Sequence, residues 1–189
     1  MRRSTIIYLV LFAVVFAAAY FFNKQAKTAE AEATPEATSA PIEYLFTSTD
    51  GLPTSIKVES KTGDVVEVAL NQENVWAMIQ PEETAADQGA VEAATGQVST
   101  IRILDRIPDL APEAVGLDNP EYTLTLQFTS GVERIIKIGV STPTQSGYYT
   151  PGENGEILII SRGPVDSLTG LLANLPYAPT EIPVPTATP

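Results

Sequence analysis

The sequence predicts an α+β fold: a single-pass N-terminal membrane helix followed by a mostly antiparallel β domain with two packed helices. Three observations lead there. Ile6–Phe22 is an unbroken run of seventeen apolar residues. Several short downstream runs alternate apolar and polar residues, the period of a half-buried strand. Only two later stretches, Thr84–Val98 and Pro164–Leu175, have helical spacing. Two helices cannot cover both faces of a seven-stranded sheet. A strongly curved antiparallel sheet, or two small sheets, packed on the helices is therefore expected.

Ile6–Phe22 lies between Arg2-Arg3 and Asn23-Lys24. As a helix it spans roughly 26 Å, at the short end for crossing the hydrocarbon layer. A buried core helix would not be apolar on every face. A cleavable signal peptide could end at Ala17-Ala18-Ala19, but the apolar run continues through Tyr20-Phe21-Phe22 before Lys24. An aromatic cluster followed by a cation is an interfacial ending, which favours an uncleaved signal-anchor. Cations flank both sides. The short cationic N-terminus and long downstream domain place the N-terminus inside and the domain outside the cytoplasmic membrane.

The expected organisation is an anchor over residues 1–23, a flexible linker over 24–42, an extracytoplasmic domain over 43–178 and a Pro/Thr-rich tail over 179–189. The linker is rich in Ala, Glu, Thr and Pro, with no apolar periodicity to bury. After Lys27 there are seven cations and 23 acids, a net charge of −16. Such a charge opposes binding to nucleic acid or to an anionic membrane surface. The chain has no His and no Cys. That removes the usual zinc sites, Ser-His-Asp and Cys-His nucleophiles, disulfides and a lipidated N-terminal cysteine. No cofactor or metal is expected, and no catalytic residue stands out.

Within the domain, Tyr44-Leu45-Phe46 begins a strand and Asp50–Pro53 turns. Ile56 and Val58 alternate with Lys57 and Glu59, Lys61–Asp64 is a hairpin connection, and Val65–Leu70 returns. Asn74–Ile79 is a third strand carrying Trp76, the only tryptophan, which is read as core on a face shared with Met78. Thr84–Val98 reads as a helix with capping-box spacing between Thr84 and Asp87, and Ala90, Val91, Ala94, Val98 and Ile101 on one face. Ile101–Ile107 is apolar enough for a strand or for the extended exit of that helix, and Pro108–Pro120 is a loop.

The run from Tyr122 is the clearest pattern: Tyr122, Leu124, Leu126 and Phe128 alternate with Thr123, Thr125, Gln127 and Thr129. Ser130-Gly131 turns it and Val132–Ile138 pairs back. Tyr148-Tyr149 and Ile157–Ile160 flank a turn at Gly152–Gly155. Pro164–Leu175 is the last helix, with Val165, Leu168, Leu171, Leu172 and Leu175 as its stripe. Identity between the two halves is too weak to claim an internal duplication.

Trp76, Pro81, the following helix, Gly116-Leu117-Asp118-Asn119-Pro120, a strand and Gly turn, Ile138-Gly139 and Tyr148-Tyr149 occur in a fixed order. In that order and spacing the chain resembles the bacterial family called domain of unknown function 4340, over roughly Ile56 to Leu172. The resemblance implies a membrane-anchored, β-rich extracytoplasmic unit. It also implies, by association, an accessory role beside ABC-type export or gliding-motility components. It implies no catalytic residues. Many members hold more than one copy of the unit, and this chain is short beside them.

Gly116–Pro120 reads first as a structural turn: Gly for positive φ, Leu as a core plug, Pro opening the next strand. Asp118 is expected to accept backbone hydrogen bonds there. Asp105, Asp109, Asp118 and Glu121 surround this loop but lack an ordered calcium-ligand spacing. Tyr148 and Tyr149 must point to opposite faces of a strand. Together with Asp118 they are the candidate partner or ligand contacts.

Two functions follow. The first is a non-enzymatic accessory or scaffold domain of an envelope or ABC-type transport complex, binding a protein partner. The alternative is a cell-wall or glycan-binding module with weak hydrolase activity. A flat apolar patch or exposed strand edge favours the first; an exposed Tyr149 beside a carboxylate-lined pocket favours the second.

Overall fold

The computed structural model describes residues 41–179. The expected anchor Ile6–Phe22, the linker up to residue 40 and the tail from residue 180 lie outside the described residues. Among the described residues no helix is long and apolar enough to cross a membrane.

The described chain is an α+β fold of antiparallel strands and two helices. In order, the elements are β1 (Glu43–Tyr44), β2 (Pro53–Ser60), β3 (Val65–Leu70), β4 (Trp76–Gln80), β5 (Thr84–Ala85) and α1 (Gln88–Val98). There follow β6 (Arg102–Ile107), a 3-10 turn (Pro112–Val115), β7 (Tyr122–Phe128), β8 (Glu133–Ile138), β9 (Gly147–Pro151), β10 (Ile157–Ser161) and α2 (Arg162–Ala173). Six strands pair in the order β5-β4-β3-β2-β7-β8, and four in the order β1-β6-β10-β9. The sheets meet where Gly139 N–H donates to the Tyr149 carbonyl at 2.8 Å and Tyr149 N–H donates to the Val140 carbonyl at 3.3 Å.

Register in the larger sheet follows the hydrophobic pattern. Val68, Ile56, Leu126 and Leu124 pair across the sheet with apolar partners on one face and are fully buried. Lys57, Glu67 and Thr125 share the other face. A one-residue slip would exchange these sets, so the alternation alone specifies the pairing. Both helices pack on the apolar face, Val91, Ala94 and Val98 from α1 and Val165, Leu168 and Leu171 from α2. Leu158 and Ile160 of the smaller sheet join the same core. Each fully buried Leu or Ile contributes about 1.5–3 kcal/mol.

Several sequence expectations change at element ends. Thr84 does not open a helix; Thr84–Ala85 pairs with Met78 and Ala77 as β5. The N-cap is Asp87, whose Oδ1 accepts from Ala90 N–H at 3.2 Å. Ala90 is exposed, and Thr95 takes a place on the buried face. The strand around Tyr44 covers only Glu43–Tyr44, because Phe46 turns into the core. Asn74 adopts φ 58° in the turn before β4, so the third strand starts at Trp76. Helix α2 begins two residues before Pro164, which occupies its third position, where a missing N–H costs no helical bond. Ile101–Ile107 resolves as strand β6.

Candidate functional site

The sequence candidates separate in space. Tyr148 and Tyr149 do face opposite sides of β9. Tyr148 packs on the main core and Tyr149 on a small second cluster of Val115, Leu117 and Ile157. That cluster exists because the loop after β6 folds back over the outer face of the smaller sheet. Gly116 makes the fold-back with φ 73°, and Leu117 is its plug. Both tyrosines are half-buried. The Tyr148 hydroxyl donates to Asp166 Oδ1 at 2.6 Å, and Arg162 Nε donates to Asp166 Oδ2 at 2.9 Å. The Arg162 guanidinium also lies 5.9 Å from the Tyr148 ring centroid. Burial and the adjacent Asp166 carboxylate push the Tyr148 hydroxyl up to about 12. Tyr148 is thus a structural tie between β9 and α2.

Asp118 is exposed, and its carboxylate accepts no hydrogen bond from the described residues. The backbone-capping role expected of it falls to other groups: Gly116 N–H bonds the Glu113 carbonyl and Leu117 N–H the Pro112 carbonyl. Among the described residues no group of three carboxylates is placed to hold a metal ion.

A more enclosed opening lies elsewhere. At the end of the larger sheet, between α1 and the Phe46–Pro53 loop, is an apolar cleft of about 580 Å3. That is within the range of natural ligand sites. Phe46, Trp76 and Phe128 line it and are each nearly buried. The Phe46 and Phe128 rings meet at 5.3 Å between centroids, tilted by 46°. Leu52, Pro53 and Leu70 extend the apolar wall, while Glu92, Thr95, Gly96 and Ser99 come from α1. A larger hollow of about 690 Å3, between the β2–β3 turn and the end of α2, is more open and is lined by turn residues and aliphatic ends. Openness removes the desolvation that gives a site its affinity, so the smaller cleft is the better candidate.

A buried acid braces the cleft loop. Asp50 Oδ2 accepts from Thr47 N–H at 2.9 Å, and Oδ1 accepts from Arg134 Nη2 at 3.2 Å. The Thr47 backbone bond and the Arg134 partner hold its carboxyl below the usual range, against the opposing effect of burial. The sequence marked Trp76 as core and Asp50–Pro53 as a turn, but did not join them. The one local signal was Gly96, a glycine inside a helix, where a side chain would otherwise stand.

A second exposed surface lies at β1. Glu43 pairs with Ile103 and Tyr44 with Arg102, while among the described residues β1 pairs with no other strand. Leu45 N–H bonds the Ile101 carbonyl, so the alternation directs the Tyr44 backbone groups away from the sheet. The same register sets Ile42 across from Leu104. Ile42, Tyr44 and Leu104 are all exposed, Ile42 at 63%. Arg106 clamps this edge, donating to both carboxylate oxygens of Glu43 and to Glu156.

The fold is α+β, with both surfaces built from its edges and loops. No family model, curated protein or solved structure matches this chain. The resemblance to domain of unknown function 4340 therefore rests on the ordered motifs alone.

Proposed function

We propose that this chain is a non-enzymatic accessory or scaffold domain of an envelope or ABC-type transport complex. Ile6–Phe22 tethers it as a single pass, the domain lies outside the cytoplasmic membrane, and it binds a protein partner there. The β1 edge carries this reading. Its outward backbone groups and the exposed Ile42, Tyr44 and Leu104 suit an extended partner segment that adds a strand to the smaller sheet. The resemblance of the ordered motifs to domain of unknown function 4340 implies the same role. A glycan platform needs an exposed Tyr149, and Tyr149 is half-buried on the second cluster.

The test is crosslinking of the intact chain in its native membrane, followed by capture. A stoichiometric transporter or envelope subunit is expected, and it should be lost from the Ile42→Ser, Leu104→Ser double variant. Absence of any stoichiometric protein, or equal recovery by the double variant, overturns the reading.

A further inference from the structure

We propose that the aromatic-floored cleft seats apolar side chains of a cationic partner segment, one carrying large aliphatic or aromatic residues beside lysine or arginine. The proposal rests on the partner-binding reading above and names the partner's chemistry.

The first support is how the lip of the cleft is built. Leu52 is 73% exposed, yet its backbone is fixed. Its N–H donates to Thr129 Oγ1 at 3.1 Å, and its carbonyl accepts from Thr129 N–H at 2.9 Å. Gly51 has φ +87°, and a Cβ there would lie 2.3 Å from Thr129 Oγ1. Ser130 Oγ donates to the Asp50 carbonyl at 2.6 Å, and the Asp50 carboxylate is tied to Thr47 and Arg134. A loop braced at so many points cannot relax to bury its leucine. It holds an apolar side chain in water beside a floor of Phe46, Trp76 and Phe128. That is a preorganised site for apolar anchors. At about 580 Å3 it has room for more than one large side chain.

The second support is charge. Glu92 lines the cleft and no lysine or arginine does. Glu73 stands next to the lining Asn74, and neither acid has an ion pair among the described residues. Residues 41–179 hold seven cations and nineteen acids. Five of those cations, Lys57, Lys61, Arg106, Arg134 and Arg162, already face an acid. A fatty-acid or phosphate anion is repelled here, whereas a lysine or arginine at the mouth meets unpaired carboxylates.

Trp76 is the sole tryptophan and lines the cleft, so its emission reports occupancy directly. The full chain, reconstituted in zwitterionic lipid, is titrated with acetyl-Lys-Leu-Lys-Phe-Lys-Leu-amide. One control peptide has serine at every apolar position, and another has glutamate at every lysine. Gly96→Leu is the blocking variant. Gly96 lines the cleft, a Cβ there meets nothing within 4 Å, and leucine favours the helix. Its thermal midpoint should equal or exceed that of the parent.

A saturable micromolar shift of Trp76 emission is expected for the first peptide, at least tenfold weaker for both controls and lost in Gly96→Leu. No saturable shift, an equal response to all three peptides, or an unchanged response in Gly96→Leu overturns the proposal. So does a shift that follows protein concentration without peptide, which would assign the cleft to a second copy. If the titration fails while crosslinking recovers a stoichiometric partner, the cleft proposal falls alone. If the peptide binds while crosslinking recovers none, the scaffold reading falls instead.

Discussion

The side-chain amide of Gln88 takes both backbone groups of Trp76. Trp76 N–H donates to Gln88 Oε1 at 2.8 Å, and Gln88 Nε2 donates to the Trp76 carbonyl at 2.8 Å and to the Ala86 carbonyl at 2.9 Å. Strand β5 reaches only Met78 and Ala77, and the first residue of α1 completes the ladder where it ends. Gln88→Ala removes the partner of three part-buried backbone groups, the Trp76 N–H and the Trp76 and Ala86 carbonyls. The unfolding free energy should fall by about 1–3 kcal/mol. Urea denaturation followed by Trp76 emission measures it, and a change under 0.3 kcal/mol (roughly, the limit of such a comparison) would show the amide to be incidental.

Asp50 fixes the Leu52 lip through Thr47 and Arg134. Its carboxyl titrates below the ordinary value, so the folded state releases this proton more readily than the unfolded chain. The stability it contributes is present above the ordinary carboxyl value of 3.8 and is lost as pH falls through the lowered folded value. Asp50→Ala removes the acceptor for Thr47 N–H and should cost about 1–2 kcal/mol. The mutant should also lose the acid-limb dependence in thermal melts from pH 5 to pH 2 (an approximate window). A parallel acid limb in the two proteins would assign it to other carboxylates.

Tyr148 titrates at about 12 because its ring is half-buried and its hydroxyl faces Asp166. The folded state keeps a proton that the unfolded chain gives up near 10. Stability is therefore full below that value and declines as pH rises toward 12. For a half-buried, solvent-screened group the loss is on the order of 1 kcal/mol. Absorbance titration at the tyrosinate band should show a last step near 12 that is absent in Tyr148→Phe. If that variant keeps the late step, another tyrosine carries it.

Two glycines give opposite outcomes with the same substitution. Gly96 lies in α1 with open space for a Cβ, so Gly96→Ala should stabilise by about 0.5–1 kcal/mol. Gly139 is buried where the sheets meet, and a Cβ there would lie 2.3 Å from the Val115 carbonyl oxygen. Gly139→Ala must push the fold-back loop away from β8 and should cost on the order of 2 kcal/mol. Differential scanning calorimetry of both variants resolves the signs. Equal shifts would mean that the Val115 loop yields freely.

Arg106 joins Glu43 of β1 to Glu156, the residue before β10. Arg106→Gln should release β1 locally while leaving the core folded. Hydrogen exchange at Leu45 N–H, which bonds the Ile101 carbonyl, should speed up relative to Val58 on β2. Unchanged protection at Leu45 would place the hold on β1 in that backbone bond alone.

Much of the fold was legible because it depends on local periodicity. Val65–Leu70 appears as a strand with the bounds read for it, and the alternation from Tyr122 to Thr129 appears as a strand one residue shorter, Tyr122–Phe128. The helix stripes at Val91, Ala94, Val98, Val165, Leu168 and Leu171 face the core as their spacing requires. The opposed directions of Tyr148 and Tyr149 follow from a two-residue repeat alone. Thr84 misled because its spacing to Asp87 mimics a cap, while the decision between cap and strand was made by the β4 edge that Thr84 pairs with. Asp118 misled because turn chemistry can be met by backbone groups, and here it is.

What the sequence by itself determined was the two helices, most of the strands around them with their order, and the absence of histidine and cysteine chemistry. Those follow from side-chain period and composition, which every short window of the chain carries. Only the tertiary structure decided which strands became edges, how the chain divides into sheets of six and four, and that Phe46, Leu52, Trp76 and Phe128 surround one cleft. Phe46 and Phe128 are 82 residues apart in the chain, and their meeting rests on the β2–β7 pairing and the Asp50 brace. Long-range pairing is fixed by the joint burial of many residues at once, a property that no local window of sequence contains.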